Sequence, residues 1–220
     1  MVRIQKASSA LLSGKTAAAL VFLVTIAASA YAAERSQVAA TVQEGERNHV
    51  LRPVISENVE YYDIMGDCEK DLCDCLKENG CPWKDGRRYH SLTSWDFKWN
   101  YEKRKTANFC TTASFQPVVN ISVRYPRWKK TGNPPAALEK KWEQFMKNLK
   151  THENGHIALI VEAVSDVTIA VMKLPPQPNC MALDQEIEKI KDSRIRQLND
   201  DTWKYDLKTR HGVEQGAVFP

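Results

Sequence analysis

The segment 151–156 reads Thr-His-Glu-Asn-Gly-His and carries the residue types of a metal site. Two histidines four residues apart, His152 and His156, project from one face of a helix, so both imidazoles can reach a single zinc ion. Glu153 lies beside them and can accept a proton from the water that attacks a substrate. The spacing therefore predicts a Zn²⁺ site in which His152 and His156 are ligands and Glu153 is the general base.

The motif is short, and its alternative interpretation is a chance pair of core histidines. Apolar residues recur at helical spacing from Leu138 to Val171, and no proline interrupts residues 136–174. The motif therefore lies in the middle of a predicted buried helix rather than in a loop. Gly155 costs this helix about 1 kcal/mol relative to alanine, and it could leave room for a substrate or a neighbouring chain.

A catalytic zinc usually takes a third protein ligand. Glu162 has the position of the third ligand in the extended metzincin pattern, but Leu159 replaces the turning glycine of that pattern, so we exclude Glu162. The other histidines are His49, in a polar stretch, and His90, which we expect at the surface. His211 lies in a polar, glycine-rich tail with the composition of a site loop, although a frayed terminus has the same composition.

The elements that must position these residues come in the order strands, then helices. Alternation and breakers predict a strand from 59 to 66, a helix over 67–80, an aromatic strand over 89–101, one or two further strands in 108–126, and helices over 136–174 and 181–206. We predict an α+β fold: a small antiparallel sheet followed by a long zinc-site helix and a C-terminal helix.

The first 32 residues have the composition of a signal peptide. Three basic residues precede an uncharged apolar run at 16–30, which ends in the small-x-small pattern Ala30-Tyr31-Ala32. An uncleaved anchor is the alternative, but the run is short for a span of about 20 residues. We expect a signal peptide at 1–32, a linker or arm at 33–58, and a peptidase-like domain at 59–220.

Export has consequences for charge and location. Cleavage would remove three basic residues and no acidic ones, which lowers the formal net charge from +4 to +1. The mature chain then has no basic excess that favours nucleic acid. We find no second long apolar stretch, so we expect no stable membrane span after cleavage and a periplasmic or extracellular location.

All six cysteines follow the predicted cleavage position, and an even number in an exported chain favours disulfides. We expect Cys110 to pair with Cys180. The four clustered cysteines are expected to pair among themselves, although a bond across a one-residue gap would be strained; they are Cys68, Cys73, Cys75 and Cys81. A zinc site made of these four is the alternative, but their spacing is not that of paired C-x2-C motifs.

The sequence resembles a bacterial family of predicted secreted zinc-dependent proteases long filed as a domain of unknown function. The resemblance spans about residues 59–219 and rests on YYDIMG, LTSWDFKWNY, Cys110, the block from PRW through W-x-x-F to HENGH, Cys180 and YDLKTRHGVEQGA. It implies a zincin-like metallopeptidase in which His211 is the third zinc ligand beside His152 and His156, with Glu153 as base. The cysteine cluster looks like an addition to the family pattern.

On this interpretation the protein hydrolyses peptide bonds of a polypeptide substrate. Tyr205 would donate a hydrogen bond to the developing oxyanion, and Asp206 would orient a ligand histidine. Packing for Tyr205 and a helix cap for Asp206 are the alternatives. Two other functions stay open: a non-catalytic zinc-binding envelope protein with a closed set of four ligands, and a binding module in which the motif occurs by chance.

Overall fold

A computed structural model describes residues 52–219 and confirms the α+β class. The strands come first and two long helices follow. The elements are β1 (Val54–Met65), α1 (Glu69–Asn79), β2 (Cys81–Pro82), β3 (Arg88–Tyr89), β4 (Leu92–Lys105), β5 (Cys110–Lys129), α2 (Ala136–Met172), α3 (Cys180–Thr209) and a 3-10 turn (Val213–Gln215). The predicted signal peptide, most of the predicted arm and His49 lie outside the described residues, whereas β1 begins at Val54, within the predicted arm.

The main sheet has the strand order β1-β5-β4 and is mixed, so the prediction of an antiparallel sheet was wrong for one strand. β4 and β5 form an antiparallel hairpin, with Leu92 opposite Arg124. β1 instead runs parallel to β5, from Val54 beside Val118 onwards. The chain passes through α1, a small hairpin and β4 before it reaches β5, and parallel neighbours require a long connection of this kind.

β4 has the predicted two-residue alternation, and its aromatic face points inwards. Trp95, Phe97, Trp99 and Tyr101 are partly buried, while the residues between them are exposed. β5 is a single strand that continues to Lys129, three residues beyond the predicted end at residue 126. Its length follows from its neighbour, because the parallel pairing with β1 extends to this last residue.

α2 is the central helix of the fold. By length and composition it could cross a membrane, which the sequence analysis did not recognise, but the core helix of a soluble protein passes the same test. Twelve of its residues are buried, so it has the character of a core helix. α3 returns beside it, and the Asn179 side chain caps α3 by accepting a 2.9 Å hydrogen bond from the Ala182 amide.

The buried apolar residues form two clusters along α2. The central cluster lies between the middle of the sheet and α2 from Leu138 to Val164, and it includes Ile121 and Phe145. The disulfide cluster lies at the C-terminal end of α2 and the start of α3; it contains Cys110, Phe115, Val167, Val171, Leu183 and Ile187. The predicted Cys110–Cys180 disulfide is confirmed, with the two Cα atoms 5.0 Å apart.

The pairing expected within the cysteine cluster is not present in the part of the chain that the structure describes. Cys68, Cys75 and Cys81 are thiols there. The local geometry explains the difference: Cys68 is exposed at the start of α1, while Cys81 is buried beyond its end. Cys73 and Cys75 are two positions apart on α1, and a helix directs such residues to opposite sides.

Candidate metal centre

The middle of α2 faces the C-terminal part of α3, and three side chains meet there. His152 and His156 come from α2 and Asp206 comes from α3. The Asp206 Oδ1 atom lies 3.3 Å from His152 Nε2 and 3.1 Å from His156 Nε2. One donor atom from each residue falls within 4.8 Å of the others, which is a suitable arrangement for a metal ion. We call His152, His156 and Asp206 the metal group.

Asp206 has the position that the sequence analysis gave to His211. His211 lies beside the metal group, with its Nδ1 atom 3.7 Å from Asp206 Oδ1 and part of its side chain exposed. α3 continues to Thr209, which keeps Asp206 on the helix face that meets α2. His211 lies beyond the helix end, where Arg210 and His211 both have left-handed backbone conformations. The geometry favours Asp206 over His211 as the third ligand, and a ligand role for His211 stays a prediction.

The charges of the metal group are strongly coupled. Burial alone would raise the pKa of Asp206, but hydrogen bonds from His152 and His156 outweigh burial and hold this pKa well below its usual range. Burial disfavours a charged His152, yet the hydrogen bond to Asp206 and the nearby Glu153 charge raise the pKa of His152 above its usual value. The site therefore favours a positive charge between its side chains, and a metal cation can replace the protons.

Gln215 orients the His152 ring, a role that the sequence analysis did not assign. Its Oε1 atom lies 2.9 Å from His152 Nδ1. We assign the Nδ1 proton to this hydrogen bond, so that when a metal ion displaces the Nε2 proton, the Nε2 lone pair can bind the metal. Gln215 also donates a 3.0 Å hydrogen bond to the Tyr205 hydroxyl. The only signal in the sequence was its place in the polar tail that also contains His211.

Tyr205 explains the glycine of the H-E-N-G-H segment. A Cβ atom at Gly155 would lie 2.1 Å from the Tyr205 hydroxyl oxygen, so any larger residue would collide with that ring. The hydroxyl donates a 3.1 Å hydrogen bond to the His152 carbonyl, and the ring stacks on the His152 imidazole at 5.2 Å. The space that Gly155 leaves is filled by Tyr205 of the same chain. An oxyanion role for Tyr205 stays a prediction.

Gly212 allows the tail to return to the metal group. It has φ +84°, and an added Cβ would lie 3.1 Å from His152 Cγ and 2.9 Å from Ala217 Cβ. Left-handed conformations at Arg210 and His211 precede it. This reversal directs the 3-10 turn back over α2, which places Gln215 against His152.

Glu153 is buried, with 3% of its surface exposed, and both of its carboxylate oxygens accept hydrogen bonds. Ser91 Oγ donates to Oε1 and Thr93 Oγ1 donates to Oε2. Ser91 precedes β4 and Thr93 lies near its start. The alternation of the sequence puts both on the same face as the aromatic residues of β4, but a sequence pattern does not reveal which side chain on a distant helix they meet.

The metal group opens into a cleft with a volume of about 980 Å³. His90 contributes to this cleft and is half-buried, so it is less exposed than the sequence analysis expected. Its ring packs edge-on against Phe145 at 5.5 Å, and burial lowers the pKa of His90. The chain just before β4 passes over α2, which is why a residue at the start of a strand becomes half-buried.

Comparison with known proteins identifies a family to which this chain belongs. No curated protein and no solved structure gives a significant match to the chain. A family model matches residues 59–212, a range that includes the metal group, Glu153 and the two hydroxyl residues that hold Glu153. This chain therefore belongs to the family described as bacterial proteins of unknown function, DUF922.

Proposed function

We propose that the protein is an exported zinc-dependent metallopeptidase. The observation that carries the proposal is the convergence of two imidazoles and one carboxylate within 4.8 Å in the lining of a cleft. Glu153 follows His152 directly in the chain and also lines this cleft. A metal group, an adjacent carboxylate and a cleft are the components that metal-assisted hydrolysis needs.

The donor set fits zinc. Two ligand atoms that each lie 2.0–2.2 Å from a tetrahedral zinc are separated by about 3.3–3.6 Å. The distances from Asp206 Oδ1 to His152 Nε2 and His156 Nε2, 3.3 and 3.1 Å, are close to this separation. Two histidines and one carboxylate also form a known ligand set of catalytic zinc, which leaves a fourth position open.

Each residue of the site has a separate role in the proposed hydrolysis. Bound zinc would supply a Lewis acid that polarises a carbonyl oxygen and lowers the pKa of a water. Glu153 accepts a proton from the attacking water and passes it to the leaving amine. Ser91 and Thr93 hold the Glu153 carboxylate in one orientation, so that little rearrangement is needed in the reaction. Gln215 keeps His152 Nε2 directed at the metal group.

Export is part of the proposal. The Cys110–Cys180 bond joins the start of β5 to the start of α3 and fits an oxidising compartment. The predicted signal peptide supports the same location. The periplasm or the extracellular space is therefore where we expect a polypeptide substrate to be cleaved.

The second candidate function is a non-catalytic zinc-binding envelope protein. It would need a closed site with a fourth protein ligand. The metal group has three members among residues 52–219, with His211 as the nearest further histidine. An open position supports the enzyme, and a change of His211 separates the two candidates because a closed site would need it.

The test is the substitution Glu153→Gln in the exported, zinc-loaded protein. Glutamine keeps the size of the side chain but cannot accept the proton, so peptidase activity should fall by about 10²–10⁴-fold. Zinc content should stay unchanged, because the three members of the metal group are intact. Glu162→Gln is the matched control, since Glu162 is an exposed glutamate of the same helix. Near-wild-type activity in Glu153→Gln would show that this mechanism is wrong.

A further inference from the structure

The cleft has an apolar side that the proposed reaction does not use. Trp83 lies between β2 and β3, Trp203 lies on α3, and they are 43% and 54% exposed. Val213 and Val218 of the tail add exposed apolar surface to the same cleft. We call these four residues the apolar wall. Exposed apolar surface collected in one cleft indicates a place where another molecule binds.

The apolar wall begins next to the metal group. The centre of the Trp203 ring lies 6.4 Å from the centre of the His211 ring, and the centre of the Tyr89 ring lies 4.7 Å from the same imidazole. His211 Nδ1 is in turn 3.7 Å from Asp206 Oδ1. If the scissile bond of a polypeptide lies at the metal group, a side chain next to that bond can therefore pack against Trp203.

Charge adds a second preference. Apart from Glu153 and Asp206, the charged residues that line the cleft are the cations Lys84, Arg88 and Arg210. These two carboxylates already have partners: Glu153 accepts hydrogen bonds from Ser91 and Thr93, and Asp206 belongs to the metal group. Arg210 is already in an ion pair, so Lys84 and Arg88 contribute most of the positive potential. Acidic residues of a ligand are attracted to this surface and basic residues are repelled.

We propose that the substrate is an extended polypeptide segment with a large apolar side chain beside the scissile bond and acidic, not basic, flanking residues. The inference rests on the proposed function of the metal group, because it uses that group to fix the register of the peptide. A cleft of about 980 Å³ exceeds the volume of one side chain and suits several residues in a row.

The experiment measures binding by fluorescence anisotropy with zinc-loaded Glu153→Gln protein, which leaves the peptide uncut. Zinc-free wild-type protein gives a second uncut complex if the variant does not fold. Three labelled peptides are compared: one with phenylalanine and acidic flanks, one with alanine in place of phenylalanine, and one with lysine flanks. Burial of the aromatic side chain predicts that the first binds about tenfold or more tighter than the second. The lysine peptide should also bind more weakly than the first.

Two variants connect this preference to the apolar wall. The double substitution Trp83→Ala and Trp203→Ala should remove the difference between the phenylalanine and alanine peptides. Phe109→Ala should preserve it, because Phe109 is an exposed aromatic residue that does not line the cleft. Equal affinity for the two peptides, absence of binding, or a preference that survives the double substitution would overturn the inference. A preference without cleavage by the wild-type protein supports this inference while it refutes the proposed hydrolysis.

Discussion

α2 and α3 meet in two regions of opposite character. Near their connection, Val167 and Val171 of α2 pack on Leu183 and Ile187 of α3 in the disulfide cluster. The buried polar side chain of α2 in this region, Thr168, donates to a carbonyl of its own helix. Towards the other end of α3, the same two helices bring together the metal group and Glu153, which are charged or ionisable.

From the difference between these regions we infer that the first stabilises the fold and that the second carries the proposed function. Apolar burial and a disulfide stabilise the first region without any ligand. Burial of charges in the second region has a desolvation cost that close opposite charges must offset. The metal group therefore depends on bound cations, whether protons or metal, in a way that the disulfide cluster does not. Variants of the two regions should separate protein stability from metal binding.

The largest effect on stability is expected at the disulfide cluster. Replacing both Cys110 and Cys180 with alanine should lower the free energy of unfolding by about 2–5 kcal/mol, because the bond closes a long loop. Metal affinity should be almost unchanged at a temperature where the variant is folded. Chemical denaturation and zinc titration measure the two quantities. Cys68→Ala is the control, since Cys68 is an exposed thiol, and a similar loss there would contradict the assignment.

The next effect belongs to the metal group. Asp206→Ala should weaken zinc binding by more than about 100-fold, or about 2.7 kcal/mol, because the ion loses a direct ligand. His211→Ala should weaken it much less, because His211 lies beside the group. Zinc titration against a competing chelator measures both variants. The opposite order would restore His211 as the third ligand.

A smaller effect is expected from the residue that orients His152. Gln215→Ala should weaken zinc binding by about 10–100-fold, the usual range for partners of ligand histidines. Gln144→Ala is a suitable control, because Gln144 is an exposed glutamine whose amide bonds to Asn148 on the same helix. Equal effects of the two substitutions would show that the contact from Gln215 to His152 has no role in metal binding.

The smallest effect is a pH dependence of the metal-free protein. A lowered Asp206 pKa contributes stability above the ordinary carboxyl pKa, about 3.9, and this contribution fades as the pH falls. A raised His152 pKa contributes stability below about 6.5, and this contribution is lost as the pH rises. Wild-type protein should therefore exceed Asp206→Asn in stability most clearly between about pH 4 and 6.5. A difference that does not vary with pH would refute the coupling of Asp206 and His152.

The sequence predicted the elements of the fold better than their pairing. Helical spacing from Leu138 to Val171 identified α2, and alternation identified β4, because both signals are local. The parallel position of β1 depends on contacts between distant segments, which local patterns do not encode. The Cys110–Cys180 pair was predictable because the number of cysteines and the cluster spacing left these two as the distant pair.

The candidate site was predictable where its residues are close in sequence. His152, Glu153 and His156 follow from their spacing on one helix. Asp206 was recognised as part of the site, but its place inside the metal group depends on how far α3 continues and how it faces α2. The alternation put Ser91 and Thr93 on one face with the aromatic residues of β4. Their contact with Glu153 appears only when the sheet and α2 are packed together.

The central claim is that the metal group binds one zinc ion with an open position. X-ray absorption at the zinc edge of the reconstituted protein, with the metal content measured on the same sample, tests it most directly. We predict one zinc per chain with nitrogen and oxygen ligands only, supplied by His152, His156 and Asp206. A protein that binds no zinc, or a zinc with sulfur ligands from the cysteine cluster, would contradict the claim.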